Sequence, residues 1–283
     1  MTAMGTGAPT WVLSGFGDEI DPDPVVQLSV LEALGARHLE LRGAWRTGVL
    51  DLDLAQRSEL RKLLDERGFG VSAIASPLGK VSLELPVEAE LARLATAIDL
   101  AHTFSTRYIR MFSFYQEGRD PADLRDDVLV RLRAMTVLAE RADLVLLHEN
   151  EKDIYGDTPE RVLDLIESVG SDHLRIAWDS ANFVQVGRRP FTDAYANLRP
   201  YLEYVQIKDA IAADGRVVAA GEGDGELVET LTALREDGYQ GFMSLEPHLS
   251  SAHGLGGFSG PSAFGRAARA LRRITDNLGV NLT

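Results

Sequence analysis

The stretch Leu144-Val-Leu-Leu-His-Glu-Asn-Glu-Lys-Asp153 decides the fold that we predict for this chain. Its first four residues are apolar and indicate a buried strand, which ends abruptly in the polar residues His148, Glu149 and Asn150. A carboxylate at the tip of a buried strand is costly to bury unless a cation or a hydrogen-bond donor pairs with it. We therefore interpret this strand end as part of a functional site.

Three apolar runs further along the chain have the same shape. Each is short enough for a strand, and they end in or carry Asp179, Gln206 and Glu246. The carboxyl ends of the strands of a parallel barrel meet at one face, so four such strand tips bring four oxygen ligands together. Oxygen ligands suit hard divalent cations, and the pattern predicts a metal site at that face.

Strand-like and helix-like segments alternate from end to end. The predicted strands are Trp11–Phe16, His38–Leu41, Val71–Ala75, Tyr108–Phe112, Leu144–Glu149, Leu174–Asp179, Tyr204–Ile207 and Gly241–Glu246. Parallel strands need crossover helices between them, and eight such units close into a barrel. We predict an α/β fold, a single (β/α)8 TIM barrel over residues 11–283, with its active site at the C-terminal face. The alternative, a doubly wound open sheet, lacks support because Gly15-Phe-Gly17 has no third glycine for a phosphate turn.

Four regions outside the regular pattern complete this prediction. Residues 1–10 are predicted to be a flexible N-terminal tail. The connection after the sixth strand contains only a weak helix, Thr192–Leu198, and the one after the seventh contains a small hairpin that turns at Asp214-Gly215. A loop rich in glycine and serine, Ser250–Gly260, precedes the last helix.

Composition excludes several classes of protein. The chain has 283 residues, 45% of them hydrophobic, and no cysteine, so disulfides and thiolate metal sites are excluded. The formal net charge of −14 repels nucleic-acid phosphates, and no apolar run approaches the roughly 18 residues of a membrane span. We expect a cytoplasmic protein without nucleic-acid or membrane partners; a homodimer or homotetramer is compatible with the sequence.

Side-chain alternation along each strand predicts which residues point into the barrel. If Glu149 faces the barrel axis, His148 faces the helices, and we expect it to be a buried histidine and not a ligand. The same reasoning directs Glu246 inward, places His248 over the mouth of the barrel, and puts Lys208 beside Gln206.

Three further charged residues, Glu40, Arg42 and Arg110, should also face inward. Unpaired charges are too costly in a barrel interior. They either pair with one another or line a polar pocket and contact the substrate, and the sequence leaves both possibilities open.

With these residues identified, the chain resembles the xylose-isomerase-like barrel superfamily, which includes sugar phosphate isomerases and epimerases and the AP-endonuclease-2-type barrels. The resemblance covers nearly the whole chain. It is carried by His148-Glu-Asn-Glu-Lys-Asp-Ile-Tyr-Gly-Asp157, Trp178-Asp-Ser-Ala-Asn-Phe183, Gln206-Ile-Lys-Asp209, Gly221-Glu-Gly-Asp-Gly225 and Leu245-Glu-Pro-His248.

The resemblance implies a metal site made by Glu149, Asp179, Gln206 and Glu246. Most family members have histidine where this chain has Gln206, and several of the epimerases have histidine where it has Asn182. An all-oxygen ligand set with three carboxylates favours Mn²⁺ or Mg²⁺ over Zn²⁺.

The family chemistry that this implies is proton abstraction next to a carbonyl in a polyhydroxylated substrate, with a divalent ion stabilising the enediolate. Glu149 and Glu246 are the expected acid and base of a sugar isomerase or epimerase. The residues expected to orient the sugar are Lys208, His248, Lys80, Arg110, Asn182 and Glu40. The loop Gly221–Gly225 looks like a phosphate cradle, but its two acidic residues would repel phosphate. We therefore read it as a tight turn and favour an unphosphorylated sugar.

Three alternatives to an isomerase or epimerase stay open. The first is a metal-dependent lyase, such as a dehydratase of a keto-sugar or of a 3-dehydroshikimate-like acid, which the departure at Gln206 favours. The second is a DNA-repair endonuclease, which the acidic composition disfavours. The third is a sugar-binding barrel without enzymatic activity.

Overall fold

A closed barrel of parallel strands organises the structure, a computed structural model that describes residues 8–250 and 257–283. Its strands within those ranges are β1 (Thr10–Gly15), β2 (His38–Leu41), β3 (Gly70–Ala75), β4 (Tyr108–Met111), β5 (Val145–Glu149), β6 (Leu174–Asp179), β7 (Leu202–Ile207) and β8 (Phe242–Leu245). Each strand pairs with the next from β2 to β8, and β8 pairs with β1. A bridge between Phe16 and Glu40 joins β1 to β2 and closes the barrel. The predicted (β/α)8 architecture is confirmed.

Helices cover the outside of the barrel. They are α1 (Pro24–Ala33), α2 (Leu54–Arg67), α3 (Val87–Thr103), α4 (Pro121–Arg141), α5 (Pro159–Val169), α6 (Ser180–Gln185), α7 (Leu227–Glu236) and α8 (Gly260–Leu278). Local sequence fixes their ends: Asp53 and Gln56 form a capping box at the start of α2, and Gly68 ends it in the left-handed conformation. In the described part of the chain, no helix is both long and apolar enough to cross a membrane.

The connection after β6 differs from the prediction. The helix α6 begins immediately after the strand, because the Asp179 side chain accepts a hydrogen bond of 2.9 Å from the backbone N–H of Asn182. The predicted helix Thr192–Leu198 is instead a π-helical turn, Pro190–Tyr195, that continues into one α-helical turn, Ala196–Leu198. A strand-tip residue that also caps a helix has no clear signature in hydrophobic periodicity, and we did not predict it.

Smaller elements also differ at the edges. The predicted hairpin after β7 is present as Asp209–Ala210 paired antiparallel with Val217–Val218. A terminal strand β9 (Asn281–Leu282), which we did not predict, pairs with the start of β1. The strand β1 begins at Thr10, one residue inside the predicted tail. Residues 1–7 of that tail, and residues 251–256 of the predicted glycine- and serine-rich loop, lie outside the described residues.

The barrel interior contains an apolar cluster and becomes polar at the carboxyl ends of the strands. Val145 and Leu147 of β5 pack in an interior cluster with Ala73, Ala177 and Tyr204. Because side chains alternate along a strand, Glu149, two residues after Leu147, shares their inward face at the carboxyl end. The same strand that builds the core therefore places a carboxylate at the mouth of the barrel.

Gly79 gives a stability test of the loop after β3. Its φ is +78°, and a Cβ there would lie 2.1 Å from the carbonyl oxygen of Phe112. We predict that Gly79→Ala lowers the free energy of unfolding by roughly 2–5 kcal/mol, because the backbone must shift as well as accept a left-handed alanine. Chemical denaturation of the purified protein measures this loss.

Gly238 provides the matched control. Its φ is +71°, but among the described residues no atom lies within 4 Å of the Cβ position. Gly238→Ala should lower the free energy of unfolding by only roughly 1–2 kcal/mol, the cost of the left-handed conformation alone. Equal losses in the two variants would show that the contact with Phe112 does not constrain the loop.

Candidate active site

Three carboxylates converge at the C-terminal mouth of the barrel. Glu149 ends β5, Asp179 ends β6, and Glu246 follows β8 directly. All three side chains are buried, and each offers an oxygen within 4.8 Å of the others. The strand-tip pattern in the sequence therefore corresponds to one compact cluster.

Gln206 lies on the strand between two of these carboxylates. It is the register partner of Asp179 on one side and of Ser244 on the other. Its Nε2 donates a hydrogen bond of 3.2 Å to Glu40, whereas its buried Oε1 has no hydrogen-bond donor among the residues that the structure describes. A buried amide oxygen without a donor is unfavourable, so this oxygen is available to a ligand.

Cationic side chains neutralise the acidic cluster. The Lys208 Nζ lies 2.8 Å from Asp179 Oδ2 and 3.1 Å from Glu246 Oε2. The Arg110 Nη1 lies 2.9 Å from Glu149 Oε2 and 4.0 Å from Glu246 Oε1. Arg42 approaches Glu246 from a further side, at 3.4 Å. Arg42 and Arg110 thus combine both arrangements that the sequence allowed, since each pairs with carboxylates and each lines the cavity; substrate contact by either stays a prediction.

Burial and the neighbouring cations shift the pKa values of the three carboxyl groups in different directions. Burial raises the pKa of Asp179 to about 7 and also raises the pKa of Glu149 above its ordinary value, against the opposing charges of Lys208 and Arg110. Burial acts on Glu246 as well, but the surrounding cations, Lys208 first, outweigh it and hold its pKa below the ordinary value. Two carboxyl groups with opposite pKa shifts at one site are suited to acid–base chemistry.

The donor set fits a hard divalent cation. Three carboxylates and one amide oxygen are oxygen donors, which Mg²⁺ and Mn²⁺ prefer, and the described cluster includes neither imidazole nor thiolate. The buried, unpartnered Gln206 Oε1 also fits such a cation, because a cation would supply the positive partner that no described donor provides.

A second acidic group adjoins the first and was missed in the sequence. Glu19, in the turn after β1, is fully buried and accepts hydrogen bonds of 2.9 Å from the backbone N–H of His248 and from the Ser259 hydroxyl. Its Oε1 lies 3.1 Å from the His248 Nε2, which is also 3.5 Å from Glu246. Burial raises the pKa of Glu19 to about 8. Its place just after the first strand was the signal that could have identified it.

A cavity of about 340 Å³ opens above the cluster. Its wall contains three of the residues predicted to orient a substrate: Lys80, Arg110 and His248. Residues that we did not single out from the sequence, including Arg93 and Thr96 of α3, line it as well.

The other three predicted substrate residues, Glu40, Asn182 and Lys208, are not among the described residues that line this cavity. They contact the carboxylates or Gln206 without lining the cavity itself. The Asn182 Nδ2 donates to Glu149 at 3.2 Å, and Glu40 accepts from the Tyr204 hydroxyl at 3.0 Å as well as from Gln206.

His148 has the buried position that alternation predicted. Its Nε2 lies 2.9 Å from the Ser113 hydroxyl, and its ring fills the space beside Gly156. Burial lowers the pKa of His148 to about 3, so the ring is neutral. It supports the loop after β5 and does not face the carboxylate cluster.

Comparison with known proteins places this geometry in a family. The sequence profile described as xylose isomerase-like TIM barrel matches residues 28–275. Over 220 residues the chain is 31% identical to the 2-epi-5-epi-valiolone 7-phosphate 2-epimerase of Actinoplanes sp., and the match spans 76% of this chain and 78% of that protein.

Solved structures agree on the fold. A probable 3-DHS dehydratase of Bacillus anthracis superposes with a TM-score of 0.73 at 19% identity, covering 93% of this chain and 98% of that one. A xylose isomerase-like TIM barrel protein of Mycobacterium smegmatis in complex with magnesium gives a TM-score of 0.70 at 22% identity, with 99% of both chains covered. The match of the family profile across most of the length shows that this chain belongs to the xylose isomerase-like TIM barrel family.

Proposed function

We propose that the protein is a metal-dependent epimerase that inverts a carbon next to the carbonyl of a polyhydroxylated ketone. The observation that carries this proposal is the convergence of Glu149, Asp179 and Glu246 beneath a cavity of about 340 Å³, with a buried, unpartnered amide oxygen of Gln206 on the strand beside Asp179. These four residues would hold the ion, Mg²⁺ or Mn²⁺. When bound, a divalent ion polarises the substrate carbonyl and stabilises the negative charge that develops on its oxygen.

Glu149 and Glu246 are the proposed proton carriers. They belong to β5 and to the end of β8, on different sides of the mouth, and Arg110 lies between them. One carboxylate removes the α-proton from one face of the substrate carbon, and the other carboxyl group returns a proton to the opposite face. Inversion needs this two-sided arrangement, because a single base would return the proton to the face from which it came.

The relative from Actinoplanes sp. supports epimerisation over elimination. Its name describes a 2-epimerase, and it shares 31% identity over three quarters of this chain. The Bacillus anthracis dehydratase shares only 19% identity, a level at which similarity supports the fold and not the reaction. A lyase therefore stays the second candidate. The residues that line the cavity suit elimination and epimerisation equally, so the relative decides the order.

Proton exchange tests the proposal whichever epimer is formed. The purified protein, loaded with Mn²⁺ or Mg²⁺, is incubated in D₂O with 2-epi-5-epi-valiolone 7-phosphate and a panel of ketoses and keto-glycosides. We expect deuterium at the carbon next to the carbonyl, with inverted product, in ¹H NMR spectra. Loss of water with a new ultraviolet absorbance would identify a lyase instead.

We predict that Glu149→Gln lowers the exchange rate by about 10²–10⁴-fold with the fold intact, because glutamine keeps the shape but cannot carry the proton. Glu203→Gln is the matched control. Glu203 follows the first residue of β7 and accepts a hydrogen bond of 2.6 Å from Tyr108 at the other end of the barrel. A near-normal exchange rate in Glu149→Gln would show that Glu149 is not the base.

The buried carboxyl group of Glu40 orients the side-chain amide of Gln206. An amide can turn either its oxygen or its nitrogen towards an ion, and the two ends have nearly the same shape. Glu40 accepts the Gln206 Nε2 hydrogen bond, and the Tyr204 hydroxyl donates to its other oxygen. A carboxylate fixed in this way holds the amide so that Gln206 Oε1 is the end turned away from it. We infer that Glu40 is the positioning residue that allows glutamine to serve as a ligand here.

We predict that Glu40→Gln weakens Mn²⁺ binding by about 10–100-fold, because an amide at position 40 can turn either its oxygen or its nitrogen towards Gln206 and no longer fixes which end of Gln206 faces the ion. Tyr204→Phe should weaken it less, since Glu40 keeps its contact with Gln206. Isothermal titration with the metal alone measures both, independently of any substrate.

Glu19→Gln controls for the replacement of a buried carboxyl group by an amide. Glu19 is as deeply buried as Glu40 but does not contact Gln206. A loss of affinity in Glu19→Gln equal to that in Glu40→Gln would show that the replacement of any buried carboxyl group at the mouth, and not the orientation of the Gln206 amide, determines the effect.

A further inference from the structure

The loop Gly221–Gly225 is already filled by the protein itself. The carboxylate of Asp209 accepts hydrogen bonds from the backbone N–H groups of Gly221, Gly223 and Gly225, at 2.8–3.0 Å. A Cβ at Gly223 or Gly225 would lie only 2.5 Å from the Asp209 Oδ1. An anion-binding nest of backbone donors is thus present, but an internal carboxylate occupies it, so a substrate phosphate has to bind elsewhere.

Other side chains that line the active-site cavity can donate hydrogen bonds to an anion. Lys80, in the loop after β3, and Arg93 and Thr96, one turn apart on α3, all line the same cavity as Glu149 and Glu246. The side chains of Lys80 and Arg93 are about one-third exposed, so they reach solvent as well as the cavity.

A buried carboxylate holds Arg93 in place. Glu90 is fully buried, pairs with Arg93 through one of its oxygens, and accepts the backbone N–H of Gly79 at 2.8 Å through the other. This pairing uses the Arg93 Nη1 and leaves the rest of the planar guanidinium for an anion. The arrangement fixes a guanidinium at the rim beside the loop that carries Lys80.

The cationic lining residues are held in place by acidic partners. Among the described lining residues, Arg42, Lys80, Arg93 and Arg110 stand beside Asp51, Glu149, Glu151 and Glu246. Lys80 Nζ lies 3.0 Å from Glu151, and Arg93 pairs with Glu90. A divalent cation at the proposed metal site would offset the carboxylates of the cluster and leave Lys80 and Arg93 as the cationic side of the cavity.

We propose that the substrate is a phosphorylated ketone and that Lys80, Arg93 and Thr96 form its phosphate subsite. This rests on the proposed epimerase function and reverses the expectation of an unphosphorylated sugar that the glycine-rich loop alone gave. The Phe112 ring lies beside two of the cations, with Lys80 Nζ 4.2 Å and Arg110 Cζ 4.8 Å from its centre. The name 7-phosphate 2-epimerase describes a phosphate remote from the inverted carbon in the substrate of the Actinoplanes relative, and we expect the same order of groups here.

Titration with inorganic phosphate tests the subsite directly. Isothermal titration of the full chain in the presence of Mg²⁺ is compared between the wild type, Arg93→Gln and Thr96→Val. We expect Arg93→Gln to weaken phosphate binding by at least about tenfold, because it removes a charge-assisted donor. Thr96→Val should weaken it less. Arg93→Gln leaves the buried carboxylate of Glu90 without its cation and could disturb the fold. Thr96→Val keeps that pair, so its effect on phosphate binding reports the subsite alone.

Arg189→Gln is the matched control. Arg189 flanks the glycine-rich loop beside Asp209 and Gly221, away from the cavity, and should not affect phosphate binding. Loss of binding in Arg189→Gln but not in Arg93→Gln would move the phosphate to that loop and overturn the proposal. Wild-type protein that binds no phosphate would also overturn it.

Binding of Mn²⁺ alone, measured on the same preparations, separates the two proposals. A chain that binds the metal and exchanges the α-proton of unphosphorylated ketones but does not bind phosphate retains the proposed function and loses the subsite. A chain that binds phosphate at Arg93 but neither binds the metal nor exchanges protons loses the proposed function, and with it the substrate assignment.

Discussion

The repulsion among three buried carboxylates constrains the whole upper half of this barrel. Glu149, Asp179 and Glu246 offer oxygens within 4.8 Å of one another in a region without solvent exposure. Like charges this close cannot all stay ionised unless cations compensate them. Lys208 and Arg110 supply part of that compensation. The acidic cluster, the cations around it and the unpartnered oxygen of Gln206 together fit the divalent cation that we propose.

The fold follows from the alternation of strand-like and helix-like segments, and much of the site follows from side-chain alternation along each strand. Along β5, two apolar side chains fill the barrel interior and the next inward residue is Glu149, so one strand serves both the core and the proposed chemistry. Both patterns are local, which is why the barrel, the convergence of the carboxylates and the buried position of His148 could be predicted from the sequence. Strand bounds were within one or two residues for the same reason.

Long-range partners could not be predicted. Lys208 was placed beside Gln206 at the strand tip, but the identity of its partners, Asp179 and Glu246, which are 29 and 38 residues away along the chain, could not be assigned. Glu40 was placed on the inward face, but its contact with Gln206 depends on strands that lie 166 residues apart in sequence. Periodicity gives the face of a residue and not its partner, because partners are set by how the sheet closes. The same holds for Asp209, whose carboxylate fills a loop that reads as a phosphate cradle.

The position of a bound metal ion tests the central claim most directly. Crystals grown with Mn²⁺ and measured at the manganese absorption edge would show the ion by anomalous scattering. We predict one ion coordinated by carboxylate oxygens of Glu149, Asp179 and Glu246 and by the amide oxygen of Gln206. An ion held by Glu19, Glu246 and His248 instead, or no ion at the mouth of the barrel at saturating Mn²⁺, would contradict this claim.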